Sequence, residues 1–139
     1  KVFLMRDGAI AQYGSPEDVY ENPTSPEIAV STGDAMILPA RQSMDGTVSY
    51  PLNTIVNNAA GSKGYVVIRP EEIVVSQQSS VGMKAKLLAL DYFGHDAMLT
   101  FSLAHTSDLI KVRVAGHAGY LVGETLSLSH EGPIRFFKE

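Results

Sequence analysis

Polar and apolar positions alternate along most of this chain, and the period changes once. From Ala35 onward the repeat is two. Ile110-Lys111-Val112-Arg113-Val114 sets apolar side chains on one face and cations on the other, the pattern of a half-buried strand. Leu99, Phe101 and Leu103 share one face of the run from Ala97 to Leu103. Met83-Lys84-Ala85-Lys86-Leu87 alternates and continues through Leu90 to Asp91-Tyr92-Phe93-Gly94. Shorter strands are predicted at Met36–Leu38 (ending at Pro39), Gly46–Tyr50, Tyr65–Ile68, Ile73–Val75, Leu126–Leu128 and Ile134–Phe137, with a weak one at Thr54–Val56. Leu52 to Lys63 otherwise reads as a polar loop, Gln77 to Ser80 as a link, and Gly119 to Gly123 as a turn. Many short strands separated by turn residues imply a mainly β fold, an antiparallel barrel or sandwich.

The first third is different. Val2–Met5 and Ala9–Tyr13 flank Asp7-Gly8, a strong hairpin signal. Two short helices follow. Ser15 caps the first, with Pro16 at its first position, Glu17 and Asp18 in the positively polarised first turn, and Val19 and Tyr20 on its apolar side. Asn22-Pro23 ends it. Ser25-Pro26-Glu27 repeats the start signal, and Ile28, Ala29 and Val30 carry the second helix to Thr32-Gly33. Neither helix is long enough to stand alone in water, so both must dock on something.

The 139 residues suffice for one ordinary domain, or a small domain with a piece of another, and 45% hydrophobic content supports a core. A net charge of -4 with dispersed basic residues argues against a nucleic-acid partner. Without cysteine there is no disulfide framework, thiolate metal site or Cys nucleophile. No apolar stretch approaches the roughly 20 residues of a membrane span. The start at Lys1, with no leader-like segment, reads as a cut within a longer polypeptide.

Leu4 to Pro23 resembles the end of the nucleotide-binding domain in the ATP-binding subunits of ABC importers. Gly8, Ile10, Gln12, Gly14, Ser15, Pro16, Asp18, Val19, Tyr20 and Pro23 sit, without gaps, on that family's G-x-I-x-Q-x-G-(T/S)-P-x-(E/D)-(V/I)-Y-x-x-P stretch. Ile68-Arg69-Pro70-Glu71-Glu72-Ile73, Leu90-Asp91-Tyr92-Phe93-Gly94 and Gly123-Glu124-Thr125-Leu126-Ser127-Leu128 are similar to segments of its C-terminal, transport-associated OB-type (TOBE) domain. Ser31-Thr32 and Met36 depart from the family, which has an aromatic residue or leucine before Gly33 and an Asn near Met36. The resemblance implies an OB-like barrel over 35–139, preceded by the nucleotide-binding domain's last hairpin and a helical linker over 1–34. It further implies a homodimerising, regulatory role beside the nucleotide-binding domain of the same subunit. The membrane permease would be an indirect partner, and the location cytoplasmic, at the inner face of the membrane. ATP and magnesium would belong to the intact subunit, and uptake of an ion or polyamine is favoured. Val2–Met5 is then expected to pair with Ala9–Tyr13, exchange with a second copy, or be poorly ordered.

The chain carries no ATPase machinery that its motifs reveal. Ala60-Gly61-Ser62-Lys63-Gly64 approaches a phosphate loop but lacks the first glycine at the proper offset and has Gly64 where the hydroxyl belongs, so it reads as a surface loop. His95, His105, His117 and His130 have no ligand-like spacing and read as loop or surface residues. No catalytic, cofactor-binding or metal residue is assigned.

Two readings exist for Arg69, Glu71 and Glu72: a solvated strand-end turn, or an interface contact in which Arg69 forms a bidentate carboxylate pair. Tyr92, Phe93 and Phe136, with Phe137, read either as core or as interface anchors. An alternative function is a small oxyanion- or metal-binding sensor, for which Ser102, Ser107 or Lys111 could serve. Oligosaccharide or single-strand nucleic-acid binding is disfavoured by the charge and the 8% aromatic content.

Overall fold

The structure is a computed structural model, and it describes residues 2–53, 60–77, 82–116 and 119–139. The weak strand expected at Thr54–Val56, most of the Gln77–Ser80 link and His117 lie outside them.

The chain opens with β1 (Val2–Arg6) and β2 (Ala9–Gly14), paired antiparallel with Arg6 opposite Ala9. Asp7 and Gly8 have φ of 52° and 82°, the left-handed pair that a two-residue hairpin turn of matching twist requires. Of the three fates open to the first strand, pairing within the chain is the one observed. Then come α1 (Pro16–Glu21) and α2 (Pro26–Ser31). Each has the predicted serine cap: Ser15 Oγ accepts from the Asp18 amide at 3.0 Å, and Ser25 Oγ from the Ile28 amide at 3.3 Å.

The β region contains β3 (Met36–Gln42), β4 (Val48–Ser49), β5 (Ser62–Ile68), a 3-10 turn (Pro70–Glu72), β6 (Ile73–Ser76), β7 (Met83–Tyr92), β8 (Asp96–Leu103), β9 (Leu109–Ala115), β10 (Thr125–His130) and β11 (Arg135–Lys138). They form a five-stranded sheet in the order β6-β10-β7-β8-β9 and a four-stranded sheet in the order β11-β5-β3-β4, all antiparallel. The edge strands β6 and β9 approach each other, so the larger sheet curls. A bulge at Leu88 lets β7 pair with β10 before it and continue along β8 beyond it.

Residues from both sheets fill one core. Leu99, Phe101, Leu103, Ile110 and Val112 lie in it with Leu38, Val66, Ile68, Leu87, Leu126 and Leu128. Val67 faces the other way along β5 and is equally buried, and α2 packs against that strand.

Local reading misplaced two boundaries. β3 does not stop at Pro39 but runs through it to Gln42, because β4 covers β3 only at Arg41 and Gln42 and proline is tolerated beside an unpaired strand edge. β5 starts at Ser62 instead of Tyr65. The phosphate-loop look-alike is therefore partly strand: Ser62, Lys63 and Gly64 pair with Gln42, Arg41 and Ala40. Phe101 is fully buried at the centre of the core. Phe101→Ala is expected to cost about 3–5 kcal/mol, read as a lowered urea midpoint with an unchanged slope.

Candidate functional site

Pro70 ends β5 and turns the chain into one 3-10 turn, which folds Glu72 back so that its Oε1 accepts from the Arg69 amide at 3.0 Å. The two side chains then leave in different directions. Each enters a buried polar cluster, and together these join the linker to the barrel.

Arg69 is fully buried, so the solvated-turn reading is wrong for it. Its guanidinium lies 4.0 Å from the centre of the Tyr20 ring and donates to main-chain carbonyls. Nη1 reaches Ala29 O at 2.8 Å, Asp34 O at 3.2 Å and Gly33 O at 3.3 Å. Nη2 reaches Tyr20 O at 2.9 Å and Thr32 Oγ1 at 3.2 Å. Tyr20 and Ala29 lie among the last residues of α1 and α2, whose carbonyls have no partner within the helix and carry the negative end of its dipole. Arg69 thus caps both helices with one group.

The bidentate carboxylate pair that the second reading gave to Arg69 is made by Arg135 instead. Its Nη2 donates to Glu72 Oε2 at 2.8 Å and its Nη1 to Glu72 Oε1 at 3.2 Å. Arg135 Nε donates to Glu21 O at 2.8 Å, a third helix-end carbonyl held from the barrel. Glu72 Oε1 also lies 3.3 Å from His130 Nε2, while His130 Nδ1 is 2.9 Å from the Tyr50 hydroxyl. The His130 side chain is 2% exposed, which corrects its reading as a surface residue. Gly132 allows the β10–β11 turn to close over Glu72, since a Cβ there would lie 2.8 Å from Glu72 Cδ. Glu71 is exposed and receives the Tyr20 hydroxyl. Burial, and then that bond, push the Tyr20 hydroxyl up to about 12. At the end of the linker, Asp34 pairs with Arg113 of β9 at 2.6 Å.

Of the six residues singled out from sequence, Arg69, Glu71 and Glu72 meet here. Phe136 is half-buried against the core. Tyr92 and Phe93 sit at the β7–β8 turn, 51% and 61% exposed, so the core reading fails for them. Ser102 faces outward on β8 opposite Lys86, Ser107 is in the β8–β9 loop, and Lys111 lies on β9 opposite Thr100. Among the described residues no group of three or more His, Asp or Glu side chains could hold a metal ion. Sequence reading missed Arg135, His130 and Tyr50, which lie 63, 58 and 22 positions from Glu72. One signal was available: Thr32, noted as a departure in the linker, supplies an acceptor to Arg69.

Burial alone would raise the Glu72 carboxyl, but the His130 and Arg135 hydrogen bonds, the Arg69 amide and the Arg135 charge outweigh it and hold the pKa to about 2, against an ordinary 4.5. Because the folded value lies below the unfolded one, the stabilisation is complete above pH 4.5 and is lost as pH falls through about 2. It is on the order of 3 kcal/mol. Urea titrations between pH 7 and 2.5 are expected to show stability declining below pH 4.5 in the native chain, with a flatter profile in Glu72→Gln.

The β region defines the class: an OB-type domain. The cytoplasmic molybdate-binding protein ModG, crystallised with molybdate bound, superposes with a TM-score of 0.59 at 12% identity, covering 75% of this chain and 96% of ModG, a likeness of fold. No family model matches the chain. Curated relatives do. The Fe(3+) ions import ATP-binding protein FbpC 2 of Pectobacterium atrosepticum is 30% identical over 145 residues, 100% of this chain and 42% of that protein. The sn-glycerol-3-phosphate import ATP-binding protein UgpC of Shigella boydii is 31% identical over 140 residues, 92% of this chain and 38% of that protein. An FbpC of Mesorhizobium japonicum is 39% identical over 85 residues, 60% of this chain and 23% of that protein. The chain is a homologue of the ATP-binding subunits of ABC importers and corresponds to their C-terminal part. It spans about two fifths of the length of these full-length matches.

Proposed function

We propose that this chain is the non-catalytic regulatory and dimerisation domain of an importer's ATP-binding subunit. The observation that carries the reading is the match to FbpC 2 along the whole chain. Residues 1–34 are the end of the nucleotide-binding domain and the linker, and residues 35–139 are the transport-associated barrel. ATP and magnesium bind elsewhere in the intact subunit. The permease is reached indirectly at the cytoplasmic face of the membrane, and nucleic acid is not a partner. The relatives named for ferric ion favour an ion as the transported solute. No helix among the described residues is long and apolar enough to cross a membrane.

The hairpin supports this placement. Phe3 and Tyr13 stack with ring centres 5.8 Å apart, and with Met5 and Ile10 they form an apolar face that is more than half exposed at every position. A nucleotide-binding domain would cover it. Replacing Met5 and Ile10 by serine is expected to improve solubility of this chain while changing its stability by less than about 1 kcal/mol. Sedimentation of the chain at high micromolar concentration tests dimerisation: a dimer is expected, and a monomer there would overturn that role. The same preparation is expected to show no ATP hydrolysis above buffer, and turnover would overturn the non-catalytic reading.

A further inference from the structure

Two helices of six residues each have no stability of their own. Their N-terminal ends are satisfied locally by Ser15 and Ser25. Their C-terminal ends draw on the barrel: Arg69 donates to Tyr20 O and Ala29 O and Arg135 to Glu21 O, while the Ser31 and Thr32 hydroxyls serve Ile28 O, and Thr32 also Ala29 O, from within the linker. The linker's closing turn, through Thr32, Gly33 and Asp34, bonds to the same Arg69 guanidinium. Five linker acceptors therefore converge on one side chain of the barrel. The barrel's apolar core is built from other residues of both sheets.

We propose that Arg69 is a latch: its guanidinium folds the linker onto the barrel, and withdrawing it melts residues 19–34 while the barrel stays folded. The barrel and the hairpin are then held in one arrangement when the latch is closed and can move independently when it is open, an order–disorder switch of a kind that regulatory domains use. The latch follows from the linker geometry alone and holds whether or not the chain belongs to a transporter.

A guanidinium is needed, not merely a charge. Its planar fork reaches carbonyls of two helices and a turn at once, while its face rests on Tyr20. A lysine ammonium has three donors from one point and cannot span them. The Nε atom of Arg69 is buried with no hydrogen-bond partner, so the side chain's bonding rests on its two terminal nitrogens. Removing them takes from Tyr20 O, Gly33 O and Asp34 O the donors they have here and leaves Ala29 O with the Thr32 hydroxyl alone.

Hydrogen–deuterium exchange on the whole chain tests this. Arg69→Lys and Arg69→Met are expected to speed exchange of amides in residues 19–34 by tenfold or more, with amides of β8 and β9 staying within about twofold of the native chain. Thr32→Val removes one acceptor of Arg69 together with the hydroxyl's own bonds to Ile28 O and Ala29 O, without touching the buried charge, and is expected to give a smaller acceleration, about three- to tenfold, in the same segment. Unchanged linker exchange in the Arg69 variants would overturn the latch. Loss of protection in linker and barrel together would also overturn it, by making Arg69 an ordinary part of one cooperative core. Arg69 variants that fail to fold at all would likewise overturn it, because the barrel is proposed to stand without the latch.

Discussion

A fully buried arginine is the constraint on which the arrangement of this molecule turns. Moving a guanidinium out of water costs several kcal/mol, and among the described residues no carboxylate is bonded to the Arg69 guanidinium to offset it. Main-chain oxygens and one hydroxyl do so, each bond to a charged donor being worth about 1.5–3 kcal/mol. The acceptors are good ones because two of them lie at helix ends, where carbonyls lack partners and dipoles add. Helix ends and arginine each remove the other's penalty. The place where β5 ends therefore helps to set the path of the linker.

Glu72 extends the same logic to the barrel's last strand. It stands between the Arg69 amide, His130 and Arg135, and Arg135 continues to Glu21 O. The cluster thus ties the 3-10 turn, β10, β11 and α1 through one carboxylate. Arg69 and Arg135 are buried with Glu72, the half-exposed Glu21 carboxylate lies 3.7 Å from Arg135, and helix-end carbonyls accept from both guanidinium groups. This explains why Arg69 pairs with carbonyls and Arg135 with the carboxylate: Glu72 is already occupied by its own turn and by β11, and the Arg69 fork points away from it to the linker.

Features with a local cause were legible in the sequence. Ser15 and Ser25 cap helices because a serine oxygen reaches an amide three residues on, and Asp7-Gly8 turns because both residues tolerate positive φ. Leu99, Phe101 and Leu103 face inward because strand side chains alternate. The joint was not legible in the same way. A charged residue after a strand reads as solvated, since most are. What buries Arg69 is a helix pair some forty residues earlier, and what pairs with Glu72 is an arginine 63 residues later. Neither separation leaves a mark in any local period. The exposed Tyr92 and Phe93 show the converse: of the two readings open to them, core or interface anchor, the core one fails because the β7–β8 turn carries them beyond the sheet.

A polar joint also does something that an apolar one would not. Apolar attraction is non-directional, so the packing of α2 on β5 by itself constrains proximity more than angle. Forked donors meeting separate carbonyls have one good geometry, and a small rotation breaks several bonds together. The same bonds cost more to leave half-made than to release to water, because a buried unsatisfied carbonyl or charge is penalised while a solvated one is not. An intermediate arrangement is therefore the least favourable, and the joint tends to be fully closed or fully open. That preference for two end states follows from the chemistry of the groups at the contact.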